Sequence, residues 1–333
     1  MVYLNKDNDV QVETRSETWS KMQRRARGCL LGQFAGDSLG SLVEFRSPEY
    51  ISDLYPNGVR DMADGGSFNT IAGQLTDDSE MALMLAHSLI DRGTFVVEDV
   101  RRGYKFWLDS NPFDCGMTIG NALGGASRPD SQANGALMRI SPLGIFGVGH
   151  ATAQVSTWAR ADAALTHPNQ VCLDINALFT VALSYAISHG CGREDLFGFI
   201  EANAQAWQVE PFVWDLIATS KDADRFDYTE QSGWVALAFS NALRQLLYAP
   251  SLEEAVVNTI ALGGDTDTNA AICGALLGAV EGEDAVPKRW VDALLNCRPS
   301  EGVKGVENPR PQVFWPVDVL NIADRLLAAG LRG

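Results

Sequence analysis

Cysteine is scarce and poorly placed for binding metal: six thiols, at positions 29, 115, 172, 191, 273 and 297, include no pair two residues apart. That spacing excludes the common zinc-ribbon and finger arrangements. A chain of 333 residues with 46% hydrophobic content buries a core without disulfide staples, so the cysteines read as reduced, mostly buried thiols. Positive charge is also in deficit. The 26 basic residues face 42 acidic ones, a formal charge of -16, which opposes a nucleic-acid backbone or an anionic membrane surface and favours cations and basic partners. Long apolar runs are missing too: the longest nearly apolar stretch, 177–187, contains Thr180 and Ser184 and falls short of the roughly 20 residues that cross a bilayer. The opening MVYLNKDNDVQVETRSE lacks the apolar run and cleavage site of a secretory signal. The expectation is a cytoplasmic protein with neither nucleic acid nor membrane as partner.

Alternating Val/Ile/Tyr-rich segments are nearly absent, which argues against a sheet. Three- and four-residue apolar steps dominate instead. Trp19, Met22, Ala26, Cys29, Leu30 and Phe34 mark one amphipathic helix running to a stop at Gly36 and Gly40. The same periodicity predicts helices near 79–92, 95–109, 151–165, 171–189, 193–206, 234–248, 252–262, 268–281, 286–295 and 316–330. Long connections rich in Gly, Asp, Asn and Pro fall at 47–76, 109–136 and 296–316, and loops of that length are usually functional or disordered. The organisation read from this is one all-α domain over 20–333, preceded by an extension of residues 1–19. GCLLGQ at 28–33 and GALLGA at 274–279 look alike, but so short a likeness reads as ordinary helix-packing composition and not as a repeat.

Chemistry concentrates in three blocks. In the first, Thr76-Asp77-Asp78-Ser79-Glu80 directly precedes an apolar helix. Asp77 with Glu80 fits a capping box, while two adjacent carboxylates beside a hydroxyl fit a hard cation such as Mg²⁺ or Mn²⁺; taken alone the segment leaves both open. In the second, Gly263-Gly264-Asp265-Thr266-Asp267-Thr268 leads into a run of small residues; the glycines permit positive φ and the run permits close helix packing. The third, 36–45, holds Asp37 and Glu44 among glycines, and by itself reads as packing with solvated charges. Between them, Asn134-Gly135 and Arg139 offer backbone amides and a guanidinium suited to a diphosphate, or simply a helix entry.

Taken together, GCLLGQFAGDSLGSLVEF (28–45), LTDDS (75–79), NGALMR (134–139), THP (166–168) and GGDTDTNAAICGALLGA (263–279) resemble the ADP-ribosylglycohydrolase family over about residues 24–282. The resemblance implies an orthogonal helical bundle with two Mg²⁺ or Mn²⁺ ions held by Thr76, Asp77, Asp78, Asp265, Asp267 and Thr268. It also implies Glu44 as general acid or base, Asp37 as a loop-ordering residue, and Asn134, Gly135, Arg139 and His167 as contacts to ADP-ribose. His87, His150 and His189 receive no role. One departure is Thr118, where several bacterial relatives carry an acidic residue just before I-G-N; Asp114 or Glu44 would then take its place. The implied reaction is hydrolysis of ADP-ribose from a protein side chain, arginine first. O-linked ADP-ribose on serine, or O-acetyl-ADP-ribose, is the alternative linkage. A non-catalytic binding protein is disfavoured because all six implied ligands are present, and an immunity protein neutralising an ADP-ribosylating toxin is a further reading.

Residues 1–17 precede every implied ligand. Deleting them is expected to leave hydrolysis of a small ADP-ribosylated substrate intact. If the segment docks on a toxin, a pull-down with that toxin weakens, whereas parallel loss of binding and hydrolysis would mean that it only supports the fold.

Overall fold

The computed structural model describes residues 15–222 and 226–332; most of the extension, 1–14, lies outside the described residues. The helices are α1 (Arg15–Gly40), α2 (Pro48–Leu54), α3 (Asp77–Arg92), α4 (Val97–Asp109), α5 (Met117–Leu123), α6 (Ser141–Phe146), α7 (Thr152–Ala164) and α8 (Gln170–His189). They continue with α9 (Arg193–Trp207), α10 (Pro211–Thr219), α11 (Val235–Tyr248), α12 (Leu252–Ala261), α13 (Thr266–Glu281), α14 (Lys288–Asn296) and α15 (Val319–Gly330). Among the described residues the only β pairings are the isolated bridges Gly65–Thr70 and Ala133–Trp234. The all-α helical bundle expected from the periodicity is therefore observed. Every helix predicted from the sequence is present within a few residues. The short helices α2, α5, α6 and α10 are present but not predicted from the sequence, because six to nine residues span too few turns to show a period and depend on tertiary packing.

At the centre, α1 lies antiparallel against α13, with α8, α11, α12 and α15 packed around the pair. Its geometry is set by glycine. Gly28, Gly32, Gly36 and Gly40 recur every four residues on one face of α1, and a Cβ at any of them would collide with α13 backbone at Gly278, Gly274, Ala270 or Asp267. Gly274 and Gly278 face carbonyls of Gly32 and Gly28 in return. The two look-alike segments at 28–33 and 274–279 are thus the two sides of one backbone contact. That contact sets the end of α1 beside the start of α13.

The apolar stretch 177–187 lies inside α8, which by length and composition alone could cross a membrane, but 83% of its apolar window is buried in the fold. It is the core helix against α7, α6 and α9. The cysteines are all free, four buried and two half-buried, as their spacing suggested.

Gly274→Ala places a methyl on the Gly32 carbonyl, and overpacking at a backbone contact costs about 3 kcal/mol or more. Gly198→Ala on α9, where nothing lies within 4 Å, is expected to stabilise by about 0.5–1 kcal/mol. Urea denaturation followed by circular dichroism checks both, and equal effects would show that the helix pair tolerates separation.

Candidate functional site

The start of α3 is held from outside. Asp37, fully buried near the end of α1, accepts from the backbone N–H groups of Thr76 at 3.1 Å and Ser79 at 3.2 Å, and its Oδ1 lies 2.9 Å from the Thr76 hydroxyl. It supplies from another helix the N-cap that α3 does not make itself: Thr76 occupies the cap position with no side-chain cap bond. Of the two readings left open for this segment, the capping box of Asp77 and Glu80 does not form. Glu80 instead accepts from Arg310 through both oxygens at 2.8 Å and from Trp107 Nε1 at 2.8 Å. Asp77 and Asp78 are left to face the interior of the site, and Asp37 orders the loop as expected.

The start of α13 arrives by a second route. Gly263 and Gly264 adopt φ of 74° and 72°, the left-handed conformation that side chains resist. Gly264 exchanges two backbone hydrogen bonds with the loop after α1: Phe45 N–H donates to its carbonyl at 2.7 Å and its own N–H donates to Arg46 at 3.0 Å. The Thr266 hydroxyl donates to the Gly40 carbonyl at 2.7 Å. These bonds bring Glu44 up to Asp265 and Asp267, with one carboxylate oxygen from each lying within 4.8 Å of the others. The two aspartate blocks meet where the Thr268 hydroxyl stands 3.4 Å from Asp78 Oδ2.

Beside this cluster opens a cavity of about 440 Å³ lined by Glu44, Asp77, Asp114, Asn134, Gly135, His167, Asp265 and Thr268. Asn134 donates to Asp265 at 2.7 Å, and Asp77 accepts from Gly116 N–H at 3.2 Å, with the Asp114 carboxyl as its neighbour. Phe45 and Met117, 68% and 75% exposed, stand at the rim. Thr118 also lines the cavity, but its hydroxyl is paired with Ser131 at 2.9 Å. A carboxylate does reach the cavity from the segment just before α5, at Asp114. The sequence reading held that residue only in reserve, because nothing local shows that 114 turns inward.

Arg139 is a correction. Expected at the diphosphate, it is fully buried, paired with Asp162 at 3.2 Å and stacked over the Tyr104 ring at 4.5 Å. It does not line the cavity, because a guanidinium in the core needs its partners around it. Asn134, Gly135 and His167 do line it. Asp162 and Tyr104, which fix Arg139, carried no signal in the sequence beyond lying on helices.

Desolvation dominates the electrostatics. Burial, then neighbouring carboxylates, push Asp78 and Asp267 well above the usual carboxylate range, and push Glu44 up to about 9. Asp265 and Asp77 are raised chiefly by burial, and so is Asp114, which also faces the Asp77 charge. Glu44 Oε2, Asp78 Oδ1 and Asp267 Oδ2 are buried with no hydrogen-bond partner. Unpaired buried oxygens of this kind are costly, and an all-oxygen donor set of carboxylates and hydroxyls is what a hard divalent cation takes. The residues present fit such an ion.

Fold and site together define an all-α protein with a buried polycarboxylate cleft able to hold a cation next to a ligand-sized cavity. The family profile for ADP-ribosylglycohydrolase matches residues 18–330, and the chain belongs to that family. Among its relatives is the ADP-ribosyl-[dinitrogen reductase] glycohydrolase of Rhodospirillum rubrum, 31% identical over 83% of this chain and 92% of its own length. An ADP-ribosylarginine hydrolase of Pseudomonas putida is 27% identical over 81% of this chain and 74% of its own. A solved ADP-ribosylglycohydrolase-related protein complex superimposes with a TM-score of 0.76 at 27% identity, covering 93% of this chain and 99% of the other. Membership makes the chain an ADP-ribosylglycohydrolase, a glycosidase that acts on linkages of ADP-ribose.

The raised carboxyl groups give the pH dependence its sign. Without a cation, the folded state holds protons that the unfolded state releases from about pH 4 upward. Stability should therefore fall as pH rises from about 4 toward the value of about 9 reached by Glu44. In EDTA the melting temperature is expected to be lower at pH 8 than at pH 5.5, and millimolar Mg²⁺ or Mn²⁺ to restore it at pH 8. Scanning calorimetry checks this, and a transition that rises with pH in EDTA would contradict the assignment of these groups.

Proposed function

We propose that the chain hydrolyses ADP-ribose from an arginine side chain of a modified protein, with two divalent cations, Mg²⁺ or Mn²⁺, in its acidic cleft. The observation that carries this reading is the set of unpartnered buried carboxylate oxygens on Glu44, Asp78 and Asp267, behind a cavity that Glu44 lines together with Asp77, Asp114 and Asp265. An acidic wall of that kind suits a guanidinium leaving group. The names of the Rhodospirillum and Pseudomonas relatives, a glycohydrolase of ADP-ribosylated dinitrogen reductase and an ADP-ribosylarginine hydrolase, support the same choice.

Thr76, Asp77, Asp78, Asp265, Asp267 and Thr268 would hold the cations. Bound there, they supply charge neutralisation and Lewis-acid polarisation of oxygens. In the reaction, water oxygen adds to the anomeric carbon as the bond to the arginine nitrogen breaks; one proton leaves the water and one reaches the leaving nitrogen. Glu44 sits at the junction of cluster and cavity, and a carboxyl raised by its surroundings is suited to carry that proton near neutral pH. Its proximity to Asp265 and Asp267 supports a reading in which Glu44 is both a neighbour of the cation and the acid–base group. Asp114 faces the leaving group, and the surrounding carboxylates stabilise positive charge that develops on the ribose. Phe45 and Met117 give the mouth an apolar rim against which the modified protein can rest.

Asp78→Asn and Asp265→Asn are expected to lose hydrolysis of arginine-linked ADP-ribose by at least about a hundredfold. At the same time they should raise the melting temperature in EDTA at pH 8, because each removes a carboxyl whose ionisation is opposed in the folded state by burial, and at Asp78 by neighbouring carboxylates as well. Assays on arginine- and serine-linked substrates, with and without Mg²⁺, test the reading. Cleavage of the serine-linked substrate alone would replace the proposed linkage, and near wild-type activity of either variant at low metal would overturn the cation site.

A further inference from the structure

Behind the cavity, a chain of buried groups ends on His167. Arg139 Nε donates to Asp162 Oδ2 at 3.2 Å and its Nη2 to the Asp162 carbonyl at 3.1 Å. Asp162 Oδ1 also accepts from the Tyr104 hydroxyl at 2.6 Å. The remaining nitrogen, Nη1, donates to the Gly135 carbonyl at 3.0 Å and to Thr166 Oγ1 at 2.9 Å. Thr166 Oγ1 in turn lies 2.8 Å from His167 Nδ1. The far ring nitrogen, His167 Nε2, is buried with no hydrogen-bond partner, and the residue lines the same cavity as Asn134 and Gly135.

The direction of each bond follows from donor capacity. A guanidinium has no acceptor, so Thr166 must accept from Arg139. That uses one of the two lone pairs of the hydroxyl and leaves its single proton to place; His167 Nδ1 at 2.8 Å is the acceptor positioned for it, and in this assignment Nδ1 offers its lone pair. A neutral imidazole with an accepting Nδ1 carries its proton on Nε2. The ring is neutral near pH 7: burial, reinforced by the nearby Arg139 charge, depresses it to about 3.

We propose that Asp162, Arg139 and Thr166 form a positioning relay that locks His167 in the Nε2–H tautomer, so that it presents one neutral donor to an oxygen acceptor of the bound nucleotide. Arg139, expected to hold the diphosphate itself, acts through two neighbours. It orients His167 by way of Thr166, and through the Gly135 carbonyl it fixes the turn opposite the ring, where a side chain larger than glycine would meet the His167 ring. Neutrality has a consequence for selectivity: the donor discriminates by geometry, and does not draw free anions into an already acidic cleft. The identity of the ligand rests on the proposed hydrolase reading, whereas the tautomer does not.

The test is nitrogen NMR of the Mg²⁺-loaded full chain carrying nitrogen-labelled histidine, with His167 assigned by its loss in His167→Gln. The expected spectrum shows a protonated Nε2 and a lone-pair Nδ1 over the neutral pH range. Thr166→Val removes the hydroxyl at nearly constant volume and is expected to mix the tautomers and weaken ADP-ribose about tenfold, the effect of one hydrogen bond; Thr166→Ser restores both. A wild-type ring protonated on Nδ1 or on both nitrogens overturns the relay, even if Thr166→Val fails to fold. The expected spectrum together with unchanged ADP-ribose affinity in a folded Thr166→Val overturns its role in binding. ADP-ribose that fails to bind the wild type, with the spectrum as expected, overturns the ligand and the hydrolase reading while leaving the tautomer lock supported.

Discussion

The structure depends on two helix backbones approaching without side chains between them. Glycines at every fourth residue of α1 meet Gly278, Gly274 and Ala270 on α13, and at the end of the row Gly40 meets Asp267. Because the last contact in the row is an aspartate of the site, the depth of the helix pair also sets the position of the chemistry. From that end, Asp37 reaches across to fasten the start of α3, and the loop after α1 bonds to Gly264 ahead of α13. Three segments far apart in the chain thus deliver their carboxylates to one place, held there by the Asp37 cap and by backbone hydrogen bonds.

That division of labour explains how a protein can tolerate such a site. Desolvated like charges repel, and each raised carboxyl is a stability deficit in the absence of a cation. The deficit can persist because the scaffold is over-determined elsewhere: Asp37 caps α3, Gly264 pairs with the loop at Phe45 and Arg46, and the Glu80–Arg310 pair ties α3 to the segment before α15. Binding energy from a cation then has a preorganised destination, which is the arrangement that favours electrostatic stabilisation over reorganisation.

The buried ion pair of Arg139 with Asp162 follows a different logic. Removing one partner would strand the other in the core, and its carbonyl and hydroxyl contacts reach the cavity wall at Gly135 and Thr166. A charged residue near a ligand site therefore need not touch the ligand. Its fixed donor fork can instead orient the groups that do.

Sequence alone determined the helical class, through the three- and four-residue apolar period and the lack of alternation, and it located α1, α3 and α13 because each is long. Through the family resemblance it also pointed to Thr76, Asp77, Asp78, Asp265, Asp267 and Thr268 as candidate ligands, in two segments rich in carboxylate and hydroxyl oxygens. It could not decide between cap and cation at Asp77, since that depends on whether another helix supplies the cap; Asp37 does so from 40 residues earlier in the chain. Nor could it turn Asp114 inward, turn Arg139 away from the cavity, or identify the two glycine segments as partners. Each of those outcomes is fixed by which surfaces become neighbours when α1 and α13 close on each other, and burial, charge repulsion and hydrogen-bond accounting act only after that contact has formed.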